Sequence, residues 1–135
     1  MVSKYFEIYE LVPEHIYNKF GDKAWWFIDP KLIKTLDKLK EIFNKGTIVI
    51  NDYHWNGKRN WSGLRVAGCP YYSETSQHSF GRATDCIFSA YSAEEVRDFI
   101  IFNPNKFPEV KGIELDVSWL HIDVRNSDKV ILFKG

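Results

Sequence analysis

An amphipathic helix is the sequence feature that most constrains how this chain folds. The helix is predicted to begin at Asp29-Pro30, because Asp caps the free N–H groups of a first turn and Pro is tolerated at the first helical position. Gly46 is predicted to end it. Six apolar side chains recur at helical spacing and predict one buried face: Leu32, Ile33, Leu36, Leu39, Ile42 and Phe43. Such a face must pack against a second layer of structure.

The remaining elements predict an α+β domain in which helices pack on a small antiparallel sheet. A short helix is predicted near Glu14–Phe20, and a second capped helix begins at Ser92, whose spacing to Glu95 is that of a capping box. Asn103-Pro104 is predicted to end that helix. The strands are predicted at 47–50, 113–117, 120–124 and 130–133.

Length and composition indicate one domain spanning residues 1–135. Aromatic residues make up 16% of the chain, which excludes a disordered protein. The 18 basic and 18 acidic residues cancel, so a nucleic-acid partner is not expected. No apolar run is long enough to span a membrane, and the N-terminus lacks the apolar core of a secretory signal. The protein is therefore expected to be made in the cytoplasm and to have no membrane partner.

The two cysteines carry little information. Cys69 and Cys86 lack the spacing of a zinc or redox motif and are expected to be reduced, part-buried thiols, with a single disulfide as the alternative.

Two histidines lie in motifs that suggest a metal site. A catalytic zinc needs about three ligands from His and carboxylate side chains and one open position. A chain that turns at Gly81 would bring His78 and Asp85 to one point, and His121 from a later strand would supply the third ligand. Asp123 shares a strand face with His121 and is placed to orient it. By spacing alone, an ordinary core hydrogen bond is the alternative for His78 and Asp85.

Three elements of the sequence carry a family resemblance. They are Ser62-Gly63-Leu64-Arg65, then His78-x-x-Gly81-x-Ala83-x-Asp85, then Trp119-Leu120-His121-Ile122-Asp123. In order and spacing they resemble the zinc D-alanyl-D-alanine carboxypeptidase-like peptidases, whose fold is shared with the Hedgehog signalling domain. The resemblance is closest to the short, single-domain members from phage and bacteria, and it spans residues 62–125.

The resemblance implies a function and a set of site residues. It implies hydrolysis of a peptide bond in the peptidoglycan stem, as a D-Ala-D-Ala carboxypeptidase or an L-Ala–D-Glu-type endopeptidase such as a phage endolysin. The enzyme would reach the cell wall after release or delivery by another factor. One zinc ion per chain is held by His78, Asp85 and His121. The residues expected to contact the substrate are Arg65, Ser76 and Gln77. Trp119 is expected to line the cleft in which the substrate binds.

The general base does not transfer from the resemblance. Several relatives place an acid three residues before the last His, where this chain has Ser118. Asp116 is favoured on proximity, and Glu114 is the alternative. If neither reaches the water, the alternative function is a non-catalytic, zinc-stabilised module that binds cell-wall peptide or a protein partner.

The loop before Arg65 carries two further candidates. His54 and Lys58-Arg59 are expected to be ordinary loop residues, with a place for His54 in the cleft as the alternative.

Overall fold

Three α-helices and a five-stranded sheet form the framework of the computed structural model, which describes residues 1–135. The helices are α1 (Glu14–Phe20), α2 (Pro30–Ile42) and α3 (Ala93–Phe102). The strands are β1 (Ile48–Val49), β2 (Ala83–Phe88), β3 (Gly112–Leu115), β4 (Leu120–Asp123) and β5 (Ile131–Lys134). Short 3₁₀ helices span Ile8–Glu10, Gly21–Phe27, Tyr53–Trp55, Gln77–Phe80 and Pro104–Lys106. The α+β class is confirmed. No helix is long and apolar enough to cross a membrane.

The sheet is mixed, with strand order β1-β2-β4-β3-β5. The first four strands pair antiparallel, as predicted, but β5 pairs parallel to β3, with Gly112 opposite Ile131. The prediction of a purely antiparallel sheet is therefore wrong at this edge. After β4 the chain reverses direction and passes beyond β3 instead of pairing again with β4, so β5 runs the same way as β3.

Helix α2 begins as its sequence predicts. The Asp29 carboxylate accepts a hydrogen bond from the Lys31 backbone N–H at 2.9 Å, and Pro30 occupies the first helical position. The helix ends at Ile42, before the predicted stop at Gly46, which lies at a φ of 67° in the turn that leads to β1. Four of its apolar side chains are almost completely buried: Leu32, Ile33, Leu36 and Leu39.

Helix α3 is fixed at its start and along its length. Ser92 and Glu95 form the predicted capping box through hydrogen bonds of 3.0 and 3.1 Å. Arg97 is only 6% exposed, and its guanidinium donates to the backbone carbonyls of Val117 at 2.8 Å and Trp119 at 3.0 Å. This side chain ties α3 to the turn between β3 and β4.

One face of the sheet belongs to the core, and the other carries the candidate site. Side chains alternate along a strand, so Cys86 and Ile122 enter the apolar cluster. Asp85 and His121 face the opposite way and are directly opposite each other in the β2–β4 register. The two central strands therefore present a carboxylate and an imidazole side by side.

Candidate metal centre

Three predicted ligands converge on this face. The metal-binding atoms of His78, Asp85 and His121 all lie within 4.8 Å of one another. Oδ1 of Asp85 is 3.3 Å from Nε2 of His78 and 3.0 Å from Nδ1 of His121. His78 comes from the 3₁₀ helix just before β2, and the other two come from paired strands. The arrangement is compatible with a metal site.

The turn that carries His78 depends on its two ends. At its start, Oγ of Ser76 accepts a hydrogen bond from the backbone N–H of His78 at 3.3 Å. At its end, Gly81 has a φ of 68°, and a Cβ there would collide with the backbone carbonyl of Phe27. Only glycine satisfies both the left-handed backbone and this close approach. The expectation that Gly81 turns the chain toward Asp85 is confirmed.

The backbone of residues 62–65 positions two of the three ligands. The carbonyl of Ser62 accepts from the Asp85 N–H at 2.8 Å. The carbonyl of Gly63 lies 2.9 Å from Nδ1 of His78, which fixes the proton on that nitrogen. Arg65 N–H in turn donates to the His78 carbonyl at 3.1 Å. His78 is therefore held with Nε2 free to act as a ligand.

His121 is oriented from behind by a buried carboxylate. Its Nε2 lies 3.0 Å from Oδ2 of Asp123, which is completely buried. Arg125 donates hydrogen bonds to both oxygens of Asp123, from Nε and from Nη2, each at 2.7 Å. A side chain at Gly112, the strand partner of Asp123, would collide with that carboxylate. The contact leaves Nδ1 of His121 directed toward Asp85.

The side chains of the centre form a charged network. Burial lowers the pKa of His121, but hydrogen bonds to Asp123 and Asp85 outweigh burial and raise that pKa to about 9. Burial alone would raise the pKa of Asp85, whereas hydrogen bonds from His121 and His78 hold it well below its usual range. At neutral pH an imidazolium thus lies between two carboxylates, where a cation would replace its proton.

A cleft of about 480 Å³ opens beside Asp85. Nη2 of Arg65 lies 3.1 Å from Oδ2 of Asp85, and its Nε donates to the Trp61 carbonyl at 2.8 Å. Both contacts hold the guanidinium at the edge of the centre. The cleft is lined by aromatic and basic side chains that include Lys58, Arg59, Trp61, Tyr71 and Trp119.

Two predicted substrate contacts lie in the turn itself. Ser76 caps the turn, and the side-chain oxygen of Gln77 is buried without a hydrogen-bond partner. Neither residue lines the cleft.

The two candidate bases lie in different environments. Asp116 has a φ of 60°, and its exposed side chain pairs with Lys134 at 3.1 Å. Glu114 lies in β3, one residue beyond the last pair between β3 and β4, and is paired with Phe133 of β5. Its Oε2 lies close to Gly135. Glu114 is half-buried, and neither a hydrogen bond nor an ion pair holds its carboxylate.

Some residues near the centre were not predicted. Arg125 follows the same period-two alternation that placed Asp123 behind His121, so a signal for it was present. Gly112 meets Asp123 through the pairing of β3 with β4, which no local pattern encodes. Tyr71 lies in an irregular loop, 5.7 Å from the guanidinium of Arg65, and no pattern in the sequence indicates it.

The loop residues and the cysteines also have defined environments. Arg59 is not an ordinary loop residue, because its Nε donates to the Ile50 carbonyl at 2.9 Å and its Nη2 to the Asp85 carbonyl at 3.4 Å. His54 stacks on Tyr9 at 3.8 Å between ring centres, away from the cleft. Cys69 and Cys86 are both buried and free.

Comparison with protein-family models, with curated proteins and with solved structures finds no match to this chain.

Proposed function

We propose that this chain is a zinc-dependent peptidase of the Hedgehog/D-alanyl-D-alanine carboxypeptidase fold that hydrolyses a peptide bond in the stem of bacterial peptidoglycan. One observation carries the proposal: two imidazole nitrogens and a carboxylate converge within 4.8 Å at the edge of a cleft that contains Arg65. The substrate class comes from the resemblance of the three motifs. In this proposal the protein acts as a monomer on the cell wall, after delivery by another factor.

The donor set fits zinc. Two neutral imidazoles and one carboxylate are a common ligand set for catalytic zinc, and they leave a position open for water. Each histidine also has its second ring nitrogen held, His78 by the Gly63 carbonyl and His121 by Asp123. When bound, zinc would supply an acidified water and polarise the substrate carbonyl.

Arg65 is the proposed substrate-binding residue. Its guanidinium is anchored by the Trp61 carbonyl and by Asp85, yet it still lines the cleft. The planar donor fork suits a terminal carboxylate in a carboxypeptidase reaction and a backbone carbonyl in an endopeptidase reaction. Aromatic side chains at Trp61 and Trp119 give the same cleft apolar walls.

Glu114 is the proposed general base. Its half-buried carboxylate has no ion-pair partner, which supports it over Asp116, whose carboxylate pairs with Lys134 at the surface. In the reaction its carboxylate would take a proton from the attacking water and pass it to the leaving amine.

A peptidoglycan digest read by mass spectrometry tests the proposal. New fragments should appear with zinc-loaded protein and disappear after chelation, and their masses identify the bond. His78→Ala and Asp85→Ala should lose both zinc and cleavage, whereas His54→Ala, a histidine outside the cleft, should keep both. Cleavage that survives complete removal of the metal would contradict the mechanism.

A non-catalytic binding module is the second candidate function. The observation that favours it is the surface position of Asp116 together with Ser118 at the place where many relatives carry an acid. It predicts tight zinc and saturable binding of muropeptides, with no new fragments in the same digest.

A further inference from the structure

A second cavity, of about 380 Å³, adjoins the loop that borders the metal cleft. Asp52 lines this cavity and Arg59 lines the cleft. Oδ1 of Asp52 accepts a hydrogen bond from the Arg59 backbone N–H at 2.8 Å, so the two depressions share one well-fixed loop. The cavity and the cleft are therefore both bordered by this loop.

Two exposed aromatic side chains flank the second cavity. Trp55 is 60% exposed and Tyr5 is 48% exposed. Both rings are held in place. The ring centre of Trp55 lies 5.6 Å from that of Tyr9 and 5.5 Å from that of His54, both edge-on. The Tyr5 hydroxyl donates a hydrogen bond to the Glu41 carboxylate at 3.0 Å. Flat apolar faces are thus oriented before any ligand arrives, which lowers the entropy cost of binding.

Polar groups complete the second cavity. Glu10 and Asp52 contribute carboxylates, and Lys40 contributes an ammonium group that also donates to the Gly46 carbonyl at 3.1 Å. The carboxylates can accept hydrogen bonds from hydroxyl and amide groups. Two negative charges and one positive charge disfavour an anionic ligand.

We infer that this cavity binds a neutral N-acetylhexosamine oligosaccharide, the class of glycan to which the stem peptide of peptidoglycan is attached. The C–H face of a pyranose ring lies against Trp55 and Tyr5, and its hydroxyl and acetamido groups meet Glu10 and Asp52. The inference rests on the proposed function only for the choice of saccharide. The geometry of the cavity stands apart from the metal centre.

The test is a titration of metal-free protein with N-acetylglucosamine tetrasaccharide, followed by NMR and calorimetry. The indole N–H signal of Trp55, assigned with Trp55→Phe, should shift. Trp55→Ala should bind at least about tenfold more weakly, because one stacking face is lost. Phe102→Ala is the matched control, since it removes an aromatic ring that is 80% exposed and lines neither the cleft nor the second cavity.

Three results would overturn the inference. They are no shift at millimolar tetrasaccharide, shifts confined to the Trp61 and Trp119 indoles of the metal cleft, and unchanged affinity in Trp55→Ala. A larger Trp55 shift with a lysine-rich peptide than with the saccharide would assign the cavity to a protein partner instead. Saccharide binding without cleavage in the zinc-loaded digest would refute the peptidase alone, and cleavage without saccharide binding would refute this inference alone.

Discussion

Nε2 of His121 lies 3.0 Å from a carboxylate oxygen of Asp123, two residues further along the same strand. Burial would raise the pKa of Asp123, but hydrogen bonds from Arg125 and His121 lower it to about 2. The carboxylate therefore stays charged at any pH where the protein works. It holds the imidazole in one orientation and makes the ring a stronger electron-pair donor to a metal.

Asp123→Asn should bind zinc about 10–100-fold more weakly, because the amide orients His121 without strengthening it as a ligand. Competition with a chromogenic chelator measures the affinity. Asp98→Asn, an exposed carboxylate on α3, is the control and should bind as the wild type does. Equal affinities in the two variants would remove Asp123 from the metal centre.

Zinc binding should release about one proton at pH 7, because the metal replaces the proton of His121. The pKa of His121 is raised from 6.5 to about 9, so apparent affinity should rise with pH and level off above about 9. In the metal-free protein the same shift stabilises folding fully below about 6.5 and is lost as the pH rises through about 9. Calorimetry in buffers of different ionisation enthalpy counts the protons, and a count of zero at pH 7 is the opposing result.

Gly81→Ala should reduce the free energy of unfolding by about 2–4 kcal/mol, since it adds a collision with the Phe27 carbonyl to left-handed backbone strain. The left-handed backbone alone would cost only about 1 kcal/mol. Urea denaturation measures the loss, and a loss no larger than that would show that the collision is relieved.

The local signals in the sequence located the elements better than the arrangement of the sheet. Helix α1 and the caps at Asp29 and Ser92 follow from short-range chemistry, so they agree with the structure. The parallel pairing of β5 is a choice between two neighbouring strands, and no alternation pattern encodes that choice. The convergence of His78, Asp85 and His121 was predictable because the motifs contain all three residues. The buried position of Arg97 was not predictable, because an arginine on a helix is expected to be solvent-exposed unless its carbonyl partners are known.

Glu114→Gln should lower kcat by about 100-fold or more with little change in zinc affinity, because the carboxylate is needed to move a proton. Asp116→Asn should keep most of the activity, since its carboxylate pairs with Lys134 at the surface. Steady-state cleavage of a defined muropeptide measures both variants. The reverse order of losses would identify Asp116 as the base.

Arg97→Met should cost about 2–4 kcal/mol of folding stability, because the carbonyls of Val117 and Trp119 lose the donor that the buried guanidinium supplies. It should also raise KM more than it lowers kcat. Trp119 lines the cleft and would shift with the turn, whereas Asp85 and His121 would stay in place on their paired strands. Arg82→Met, which breaks a partly exposed pair with Asp29, should cost less than about 1 kcal/mol. An unchanged KM in Arg97→Met would show that the turn between β3 and β4 does not contribute to substrate binding.

The three proposed ligands lie on elements of different local stability. Asp85 and His121 lie on strands joined by a continuous ladder, whereas His78 lies on a short turn between Ser76 and Gly81 that residues 63 and 65 hold by one hydrogen bond each. Short turns open far more often than paired strands do. If the proposed zinc site is correct, metal exchange should therefore proceed through detachment of His78, with the ion held by the remaining pair as it enters or leaves. The rate of metal loss would then report the opening of one turn instead of the unfolding of the domain.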